Sequence, residues 1–296
     1  MSGTDPSTTH AEAATRAEVL LEALPYIQRF RGRTIVVKFG GNAMVDPELT
    51  ATFAQDIVLM HSVGLRPVVV HGGGPQISEL MERLGKVPEF IDGQRVTDAE
   101  TVDIARMVLM GKVNRDLVGA INVHGPLAVG LSGEDAGLIE AGARDPALGY
   151  VGDVVSVNPS ILERLLAEQL IPVVSTIAAD AKGQTYNINA DTVAGALAEA
   201  LGAEKVIYLT DVPGLLADVD DPDSLISHIG AAALQRMIED GTLTGGMIPK
   251  ITACFHAVTN GVASAHLLDG RLPHVVLLEL FSDAGVGTMI TREGPQ

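Results

Sequence analysis

Two lysines in unusual positions and two glycine-rich loops are the features of this sequence best suited to binding an anionic ligand. Lys38 lies inside an apolar run, "TIVVKFGG" at 34–41, and a second run, "PVVVHGGG" at 67–74, ends in three glycines. A buried ammonium is costly and normally has an anionic partner. Glycines at strand ends let a ligand approach the backbone N–H groups closely. Although each loop alone could be an ordinary tight turn, together they favour phosphate binding.

Other polar groups occupy unusual places. Lys250, in "GGMIPKITAC", heads a predicted helix, where a cation opposes the helix dipole and needs a local anion. "YNINADT" places Asn187, Asn189 and Asp191 before an alanine-rich helix, and a helix N-cap accounts for only one of the three. Arg95, in "DGQRVTD", could grip a carboxylate as a fork, although a lone loop arginine is more often a surface residue.

The sequence lacks the motifs of several other enzyme classes, and its remaining reactive side chains have ordinary structural explanations. The P-loop and G-x-G-x-x-G patterns are absent, and "GLSGED" carries Glu134 where a hydrolase elbow requires its second glycine. The acidic segment at 211–227 lacks the glycine and the terminal glutamate of an EF-hand calcium loop, so we expect a solvated surface loop there. We expect the single cysteine, Cys254, to be a core residue and His71 to be structural.

The bulk composition restricts the partners. A formal net charge of −17 opposes binding to nucleic acid or to an anionic membrane surface. The N-terminus lacks the apolar segment of a secretory signal, and no apolar run is long enough to cross a bilayer. These features and the lone cysteine predict a cytoplasmic protein.

Short β-branched runs alternate with helical patterns from Thr34 onward. The pattern predicts an α/β fold, a three-layer αβα sandwich with an open, mainly parallel central sheet of about eight strands. A polar, disordered tail at 1–10 and a helix kinked or broken at Pro25 precede it. A hairpin or flap is expected at 141–156. The predicted strands span 34–39, 67–71, 126–131, 171–176, 205–210 and 274–280.

The ordered set "KFGG", "HGGG", "GQRVTD", "NINAD" and "GGMIPK" resembles the N-acetylglutamate kinase family of the amino acid kinase superfamily. The resemblance runs from about residue 20 to the C-terminus and implies the amino acid kinase fold. It also implies an N-terminal extension with the kinked helix at 1–33, a lobe at 34–180 for the amino-acid substrate and a lobe at 181–296 for ATP.

Matched by position, the resemblance assigns roles to individual residues. Lys38 and Lys250 would stabilise the transferring phosphoryl group, and Asp191 would hold both lysines. The residues implied to bind phosphate are Gly40 and Gly41, and those implied to bind the acetylated amino acid are Gly73, Gly74, Arg95 and Asn187.

The implied reaction transfers phosphate from ATP, with Mg²⁺, to the γ-carboxylate of N-acetyl-L-glutamate, a step of arginine biosynthesis. A carboxylate nucleophile is already ionised near neutrality, so no general base is required. Two alternatives stay open: a related kinase acting on free glutamate or aspartate, and a non-catalytic amino-acid sensor on the same scaffold. A free-amine site should offer a carboxylate to the ammonium, whereas a sensor has no need of both lysines.

The helix at 11–30 and "HLLDGRLPHVVLLELFSDAGVGTMI" near the C-terminus resemble the arginine-inhibited branch of the family. That resemblance implies a homo-oligomer, a hexamer built as a trimer of dimers through N-terminal helices. It also implies an allosteric arginine site, with Glu279 as the partner of the guanidinium. The residues implied to line this site are Tyr26, His266, Glu279 and Gly287.

Overall fold

The computed structural model describes residues 6–91, 93–218, 220–221, 223–241, 243, 247–283 and 285–294. The glycine pair of the "GGMIPK" motif, at 245–246, lies outside these ranges, and so do the first five residues of the tail expected to be disordered.

Ten α-helices and fourteen β-strands form within the described residues. The helices are α1 (Pro6–Phe30), α2 (Pro47–Ser62), α3 (Gly74–Arg83), α4 (Ala99–Arg106), α5 (Asn114–Asn122), α6 (Ser160–Ala167), α7 (Ala190–Ala200), α8 (Ala231–Glu239), α9 (Met247–Thr259) and α10 (Val275–Phe281). A π-helical segment, Met107–Val113, joins α4 to α5. The strands are β1 (Thr34–Phe39), β2 (Arg66–His71), β3 (Phe90–Ile91), β4 (Gln94–Arg95), β5 (Ala128–Ser132), β6 (Ile139–Ala143), β7 (Val151–Val157), β8 (Ile171–Ser175), β9 (Ile177–Ala179), β10 (Thr185–Ile188), β11 (Lys205–Thr210), β12 (His228–Gly230), β13 (Ser264–Asp269) and β14 (Thr288–Thr291).

Eight strands form the central sheet, in the order β12-β14-β13-β11-β1-β2-β8-β5. Neighbouring strands run parallel except for the antiparallel pair of β13 and β14. Strands β6, β7, β9 and β10 pair separately in a small closed barrel, within which β6 and β7 form the hairpin expected at 141–156. The predicted α/β fold with a mainly parallel sheet of about eight strands is confirmed.

Side chains alternate across the sheet and divide the core into two layers. On one face, Val36 of β1 belongs to a cluster with Val193 of α7 and Cys254 of α9. On the other face, Val37 belongs to a cluster with Ile57 of α2. Helices therefore cover both faces of the sheet, as predicted for a three-layer sandwich, and Cys254 is a core residue, as expected.

The element predictions near the ends of the chain were less accurate. The strand predicted at 274–280 is wrong, because this segment forms α10 and the strands of that region are β13 and β14. Residues 6–10 of the expected disordered tail belong to α1, and α1 continues through Pro25 without a break. The run "HVVLLEL" is apolar at nearly every position, and such a run has no period that separates strand from helix.

No helix among the described residues has the length and apolar composition needed to cross a membrane.

A buried carboxylate connects α2 with the start of α10. Asp56 is almost fully buried, and one of its oxygens lies 2.6 Å from His274 Nδ1. Burial raises the pKa of Asp56 to about 6, although the hydrogen bond and charge of His274 oppose this shift. The folded protein therefore holds a proton more tightly than the unfolded chain, so this group lowers the free energy of unfolding as pH rises from about 4 to 6.

Asp56→Asn should therefore stabilise the protein at alkaline pH more than at acid pH, because the amide mimics the protonated acid. The difference in unfolding free energy between the variant and the wild type should grow by roughly 1–2 kcal/mol from pH 5 to pH 8. Urea denaturation at several pH values measures it. Glu48→Gln, at an exposed position of the same helix, is the control, and a pH-independent difference for Asp56→Asn would contradict the prediction.

Candidate active site

The two glycine loops lie side by side at the carboxyl edge of the sheet. Strands β1 and β2 are parallel neighbours, and their last residues, Phe39 and His71, are paired in register. Gly72 N–H donates to Phe39 O at 3.4 Å, so the loops diverge only beyond this point. Ligands of open parallel sheets bind beyond this edge, which is where the sequence motifs placed the phosphate site.

Asp191 brings the two lysines together. Its Oδ1 lies 3.0 Å from Lys38 Nζ, and its Oδ2 lies 3.7 Å from Lys250 Nζ. Lys38 points to the face of the sheet covered by α7 and α9, because it alternates with Val37 along β1. The Asn189 side chain caps α7 by accepting from the N–H groups of Asp191 and Thr192, which fixes Asp191 in the first turn.

Asp191 is a charged anchor in this arrangement. Burial alone would raise its pKa, but the charges of Lys38 and Lys250 outweigh burial and bring the pKa below the usual range. Its Oδ1 is in ion-pair distance of Lys38 but accepts no well-directed hydrogen bond. The lysine ammonium groups are thus attracted to Asp191 mainly by charge and keep donor directions for another anion.

The second glycine loop ends at an open helix terminus. Gly73 is the N-cap of α3 and has no side chain to satisfy the first N–H groups, while Pro75 follows in the first turn. A Cβ on Gly74 would have no protein atom within 4 Å, so the space beside it is open. Uncapped N–H groups and the positive end of the helix dipole favour an anion here.

The first loop is crowded by charged side chains. A Cβ on Gly40 would lie 2.8 Å from Lys38 Nζ, and one on Gly41 would lie 2.6 Å from Asp211 Oδ1. Gly41 also has a φ of 70°, which favours glycine. A side chain at either position would displace Lys38 or Asp211, so both glycines are needed for the geometry of this edge.

Arg95 is anchored beside the second loop. The guanidinium donates to Gly74 O at 2.9 Å and to Ser78 Oγ at 2.8 Å, and it stacks over the ring of Phe90. Because an arginine carries five N–H donors, this anchoring leaves others for a ligand. Asn187 lies on β10, paired with Val151 and Ile177 and four residues before Asp191.

A cleft of about 1220 Å³ opens beside Asp191 and Lys250, between the β7 strand and helices α7 and α9. It is lined by both Lys250 and Asp191, so it gives ligands a route to that side of the lysine–aspartate cluster. Among the described residues no group of three or more His, Cys, Asp or Glu side chains could hold a metal ion. Mg²⁺ usually keeps several waters and binds nucleotide phosphates with few protein ligands, so a nucleotide-bound Mg²⁺ would not require such a group.

The residues expected to bind arginine lie around α10, which contacts both α1 and β13, an interior strand of the sheet. His266 Nδ1 lies 2.7 Å from Glu279 Oε1, and Tyr26 Oη donates to Asp283 just after α10. The N–H of Val286 donates to Glu279 Oε2, next to Gly287. The structure therefore places Glu279 against His266 and near Gly287, and it places Tyr26 beside the C-terminal end of α10.

Sequence reasoning missed Lys205 in this second cluster. Lys205 Nζ lies 2.9 Å from His266 Nε2 and over the ring of Phe30, and burial lowers the pKa of Lys205 to about 8. As a protonated lysine can only donate, His266 Nε2 accepts and His266 Nδ1 donates to Glu279. The available signal was a lysine opening the apolar run "KVIYLT", the same anomaly that drew attention to Lys38.

The sequence profile of the amino acid kinase family matches residues 33–269. Among curated proteins, the acetylglutamate kinase of Saccharopolyspora erythraea is 56% identical over 289 residues, which is 95% of each chain. The acetylglutamate kinase of Moorella thermoacetica is 53% identical over 92% of this chain and 96% of its own.

Solved structures agree on the fold. N-acetylglutamate synthase from Neisseria gonorrhoeae, complexed with coenzyme A and N-acetyl-glutamate, superposes with a TM-score of 0.82 and 26% identity. The match covers 94% of this chain and 63% of the synthase chain, so this chain spans less than two thirds of that protein. Carbamate kinase from Giardia lamblia bound to AMP-PNP gives a TM-score of 0.64 at 17% identity, covering 88% and 98% of the two chains.

The fold, the two glycine loops at one sheet edge and the lysine–aspartate–lysine cluster define a phosphotransferase of the amino acid kinase type. With the sequence identities above, the chain belongs to the amino acid kinase family and, within it, to the acetylglutamate kinases. It is an enzyme that transfers a phosphoryl group to a carboxyl group.

Proposed function

We propose that this enzyme transfers the γ-phosphoryl group of Mg²⁺–ATP to the γ-carboxylate of N-acetyl-L-glutamate, as a cytoplasmic step of arginine biosynthesis. The observation that carries the proposal is the pair of lysines held on Asp191 beside the two glycine loops. The high identity to acetylglutamate kinases supports the choice of substrate. In this proposal residues 34–180 bind the amino-acid substrate and residues 181–296 bind ATP.

The chemistry requires two anions to be brought together in line. The γ-carboxylate is the nucleophile and, with an unperturbed pKa of about 4.3, needs no base to ionise it. Lys38 and Lys250 neutralise charge on the phosphoryl oxygens, because both ammonium groups face the same buried carboxylate and remain close to each other. Backbone N–H groups at Gly40, Gly41 and the head of α3 add donors that need no reorganisation.

The remaining site residues fix the substrate. Arg95, held by its bonds to Gly74 O and Ser78 Oγ, supplies a fixed positive charge and its remaining N–H donors to the α-carboxylate. Gly73 and Gly74 offer N–H groups to the acylated end of the molecule, with open space beside Gly74, and Asn187 offers an amide from β10. The balance of fixed charge is cationic, since Arg95, Lys38 and Lys250 outnumber Asp191 in this set.

The acetyl group is therefore expected to decide which substrate reacts. A free α-ammonium would bring a positive charge into this cationic site, so kcat/KM for L-glutamate should fall at least on the order of 10²-fold below that for N-acetyl-L-glutamate. A coupled assay of ADP release measures both, with N-acetyl-L-glutamine as the control that lacks the accepting carboxylate. Equal turnover of glutamate or aspartate would favour a different amino acid kinase, and no turnover of any of them would favour a sensor.

We propose in addition that arginine inhibits the enzyme and that the N-terminal helix assembles it into a hexamer. In α1 the exposed large apolar side chains include Leu20, which is 73% exposed, with Val19, Leu21 and Leu24 beside it. Such a helical stripe is costly in water and fits a partner helix of another subunit. The cluster of Tyr26, His266, Glu279 and Gly287 lies where α1 meets α10 and supplies a carboxylate for a guanidinium.

A further inference from the structure

A buried chain of hydrogen bonds leads from α5 to the second glycine loop. His71, fully buried at the end of β2, has its Nδ1 2.9 Å from Gly72 O and its Nε2 3.1 Å from Asn114 Nδ2. Asn114, also buried, donates to Val173 O at 2.8 Å. The guanidinium of Arg115 contacts Asn114 Oδ1. The histidine, the asparagine and the arginine thus form one connected network.

The donor and the acceptor of each hydrogen bond in this network are fixed by the neighbouring bond. Because Arg115 can only donate, Asn114 must turn its carbonyl oxygen toward the guanidinium and its NH₂ group toward His71. His71 Nε2 must therefore accept, so the proton lies on Nδ1 and is donated to Gly72 O. The network specifies a single neutral tautomer of His71.

The electrostatics agree with this assignment. Burial lowers the pKa of His71 to about 4, and the nearby charge of Arg115 lowers it further, while the hydrogen bond to Gly72 O opposes both. A protonated ring would also turn an N–H group toward the NH₂ group of Asn114. His71 therefore stays neutral in the physiological range, with both ring nitrogens bonded to groups inside the protein.

The surrounding packing leaves this network little freedom. Leu109 and Val113, on the π-helical segment before Asn114, press on the loop, since a Cβ on Gly73 would lie 2.6 Å from Leu109 Cδ2 and 3.2 Å from Val113 Cγ2. A Cβ on Gly130 would collide with the side chains of Asn114 and Arg115. The π-helical segment thus fixes the positions of both the glycine loop and Asn114. Segments of this kind are frequent at functional sites.

We propose that Arg115, Asn114 and His71 are positioning residues that orient the peptide between Gly72 and Gly73 for substrate binding. The peptide is planar and trans, so a bond that fixes the direction of Gly72 O also fixes the Gly73 N–H in the opposite direction. That N–H then points away from His71, toward the open head of α3. The inference rests on the proposed function, because it assigns the oriented N–H to binding of the acylated amino acid.

Asn114→Asp tests the network with an almost isosteric change. The carboxylate can only accept, so a neutral His71 must carry its proton on Nε2 and loses the bond to Gly72 O, and the bond to Val173 O is lost as well. We expect KM for N-acetyl-L-glutamate to rise about tenfold or more, with KM for ATP changed much less, since misplacement of a binding group is costly. Asn122→Asp is the matched control on the same helix, because within the described residues the Asn122 side chain bonds only to the backbone at 127–128.

A second pair of variants keeps the test independent of the stability of Asn114→Asp. In His71→Asn the amide nitrogen can replace Nδ1 and donate to Gly72 O, whereas in His71→Gln the nitrogen is placed near the position of Nε2. KM for N-acetyl-L-glutamate should therefore rise less in His71→Asn than in His71→Gln. Equal increases in the two variants, both shown by circular dichroism to be folded, would overturn the proposal.

A spectroscopic measurement separates this inference from the proposed function. In ¹⁵N-labelled wild-type enzyme, with His71 assigned by its absence in His71→Asn, the δ nitrogen should carry the proton and the ε nitrogen should not, from pH 6 to 8. An Nε2-protonated ring would refute the network whatever the substrate is. If the tautomer is found as expected but N-acetyl-L-glutamate is not phosphorylated, the proposed function fails and the substrate assignment of the loop fails with it.

Discussion

Lys38→Ala is expected to lower kcat by roughly 10²- to 10³-fold, the loss that follows removal of one preorganised donor to a developing charge. Lys250→Ala should have an effect of similar size, because both ammonium groups face Asp191 and neither can take the place of the other in line with the transferred phosphoryl group. KM for the two substrates should change less than kcat, since the strongest charge develops in the transition state. Steady-state kinetics with saturating ATP and N-acetyl-L-glutamate measures both parameters.

Two comparisons make this result specific. Lys182→Ala removes an exposed lysine from a loop and should keep wild-type kinetics. Lys38→Arg keeps the charge but replaces a compact ammonium with a larger planar group between Gly40 and Asp191, so it should not restore activity. Near wild-type turnover in Lys38→Ala or Lys250→Ala would remove these lysines from the mechanism.

The sequence alone indicated the phosphate edge because its signals are local. Lys38 interrupts an apolar strand, and glycines follow two strands at their ends, so the rule that ligands bind at the carboxyl ends of parallel strands was enough to place both loops at one edge of the sheet. The structure adds the distances that join Lys38, Asp191 and Lys250, which lie far apart in sequence. An anion beside each lysine was expected on energetic grounds, and the resemblance to a known family indicated which residue it was.

Features that depend on partners distant in the chain could not be predicted in this way. Lys205 opens a strand whose neighbour supplies His266, 61 residues later, and no local pattern announces that contact. Asn114 looks like an ordinary helical residue until its bonds to His71 and Val173 are seen. The segment 274–280 shows no clear periodicity, so the sequence could not distinguish a strand from a helix there. It forms a helix that packs on the α2 side of the sheet.

Arginine is expected to raise the half-saturating concentration of N-acetyl-L-glutamate by about 5- to 150-fold, the range of ordinary allosteric coupling. Glu279 is the side chain that can distinguish a guanidinium. Burial would raise its pKa, but the hydrogen bond from His266 and the charge of Lys205 lower it, so it is a carboxylate at neutral pH. Glu279 Oε1 accepts from His266, and Oε2 accepts from the N–H of Val286. Each oxygen keeps one further lone pair, so the carboxylate can still accept from the two N–H donors of a guanidinium fork.

Glu279→Gln should abolish the effect of arginine, because an amide presents only one acceptor oxygen to the fork, and kcat without arginine should stay near the wild-type value. Glu239→Gln, at an exposed site on α8, is the control and should remain sensitive to arginine.

Deletion of residues 1–30 should abolish both arginine inhibition and the hexamer, whose size is measured by light scattering, but it also removes Phe30 from the core. Deletion of residues 1–22 keeps Tyr26 and Phe30 while it removes the exposed stripe at 19–21, so loss of the hexamer in this shorter deletion assigns assembly to the stripe. An intact enzyme indifferent to millimolar arginine would refute the allosteric site, and a truncated enzyme that stays hexameric would refute assembly through α1.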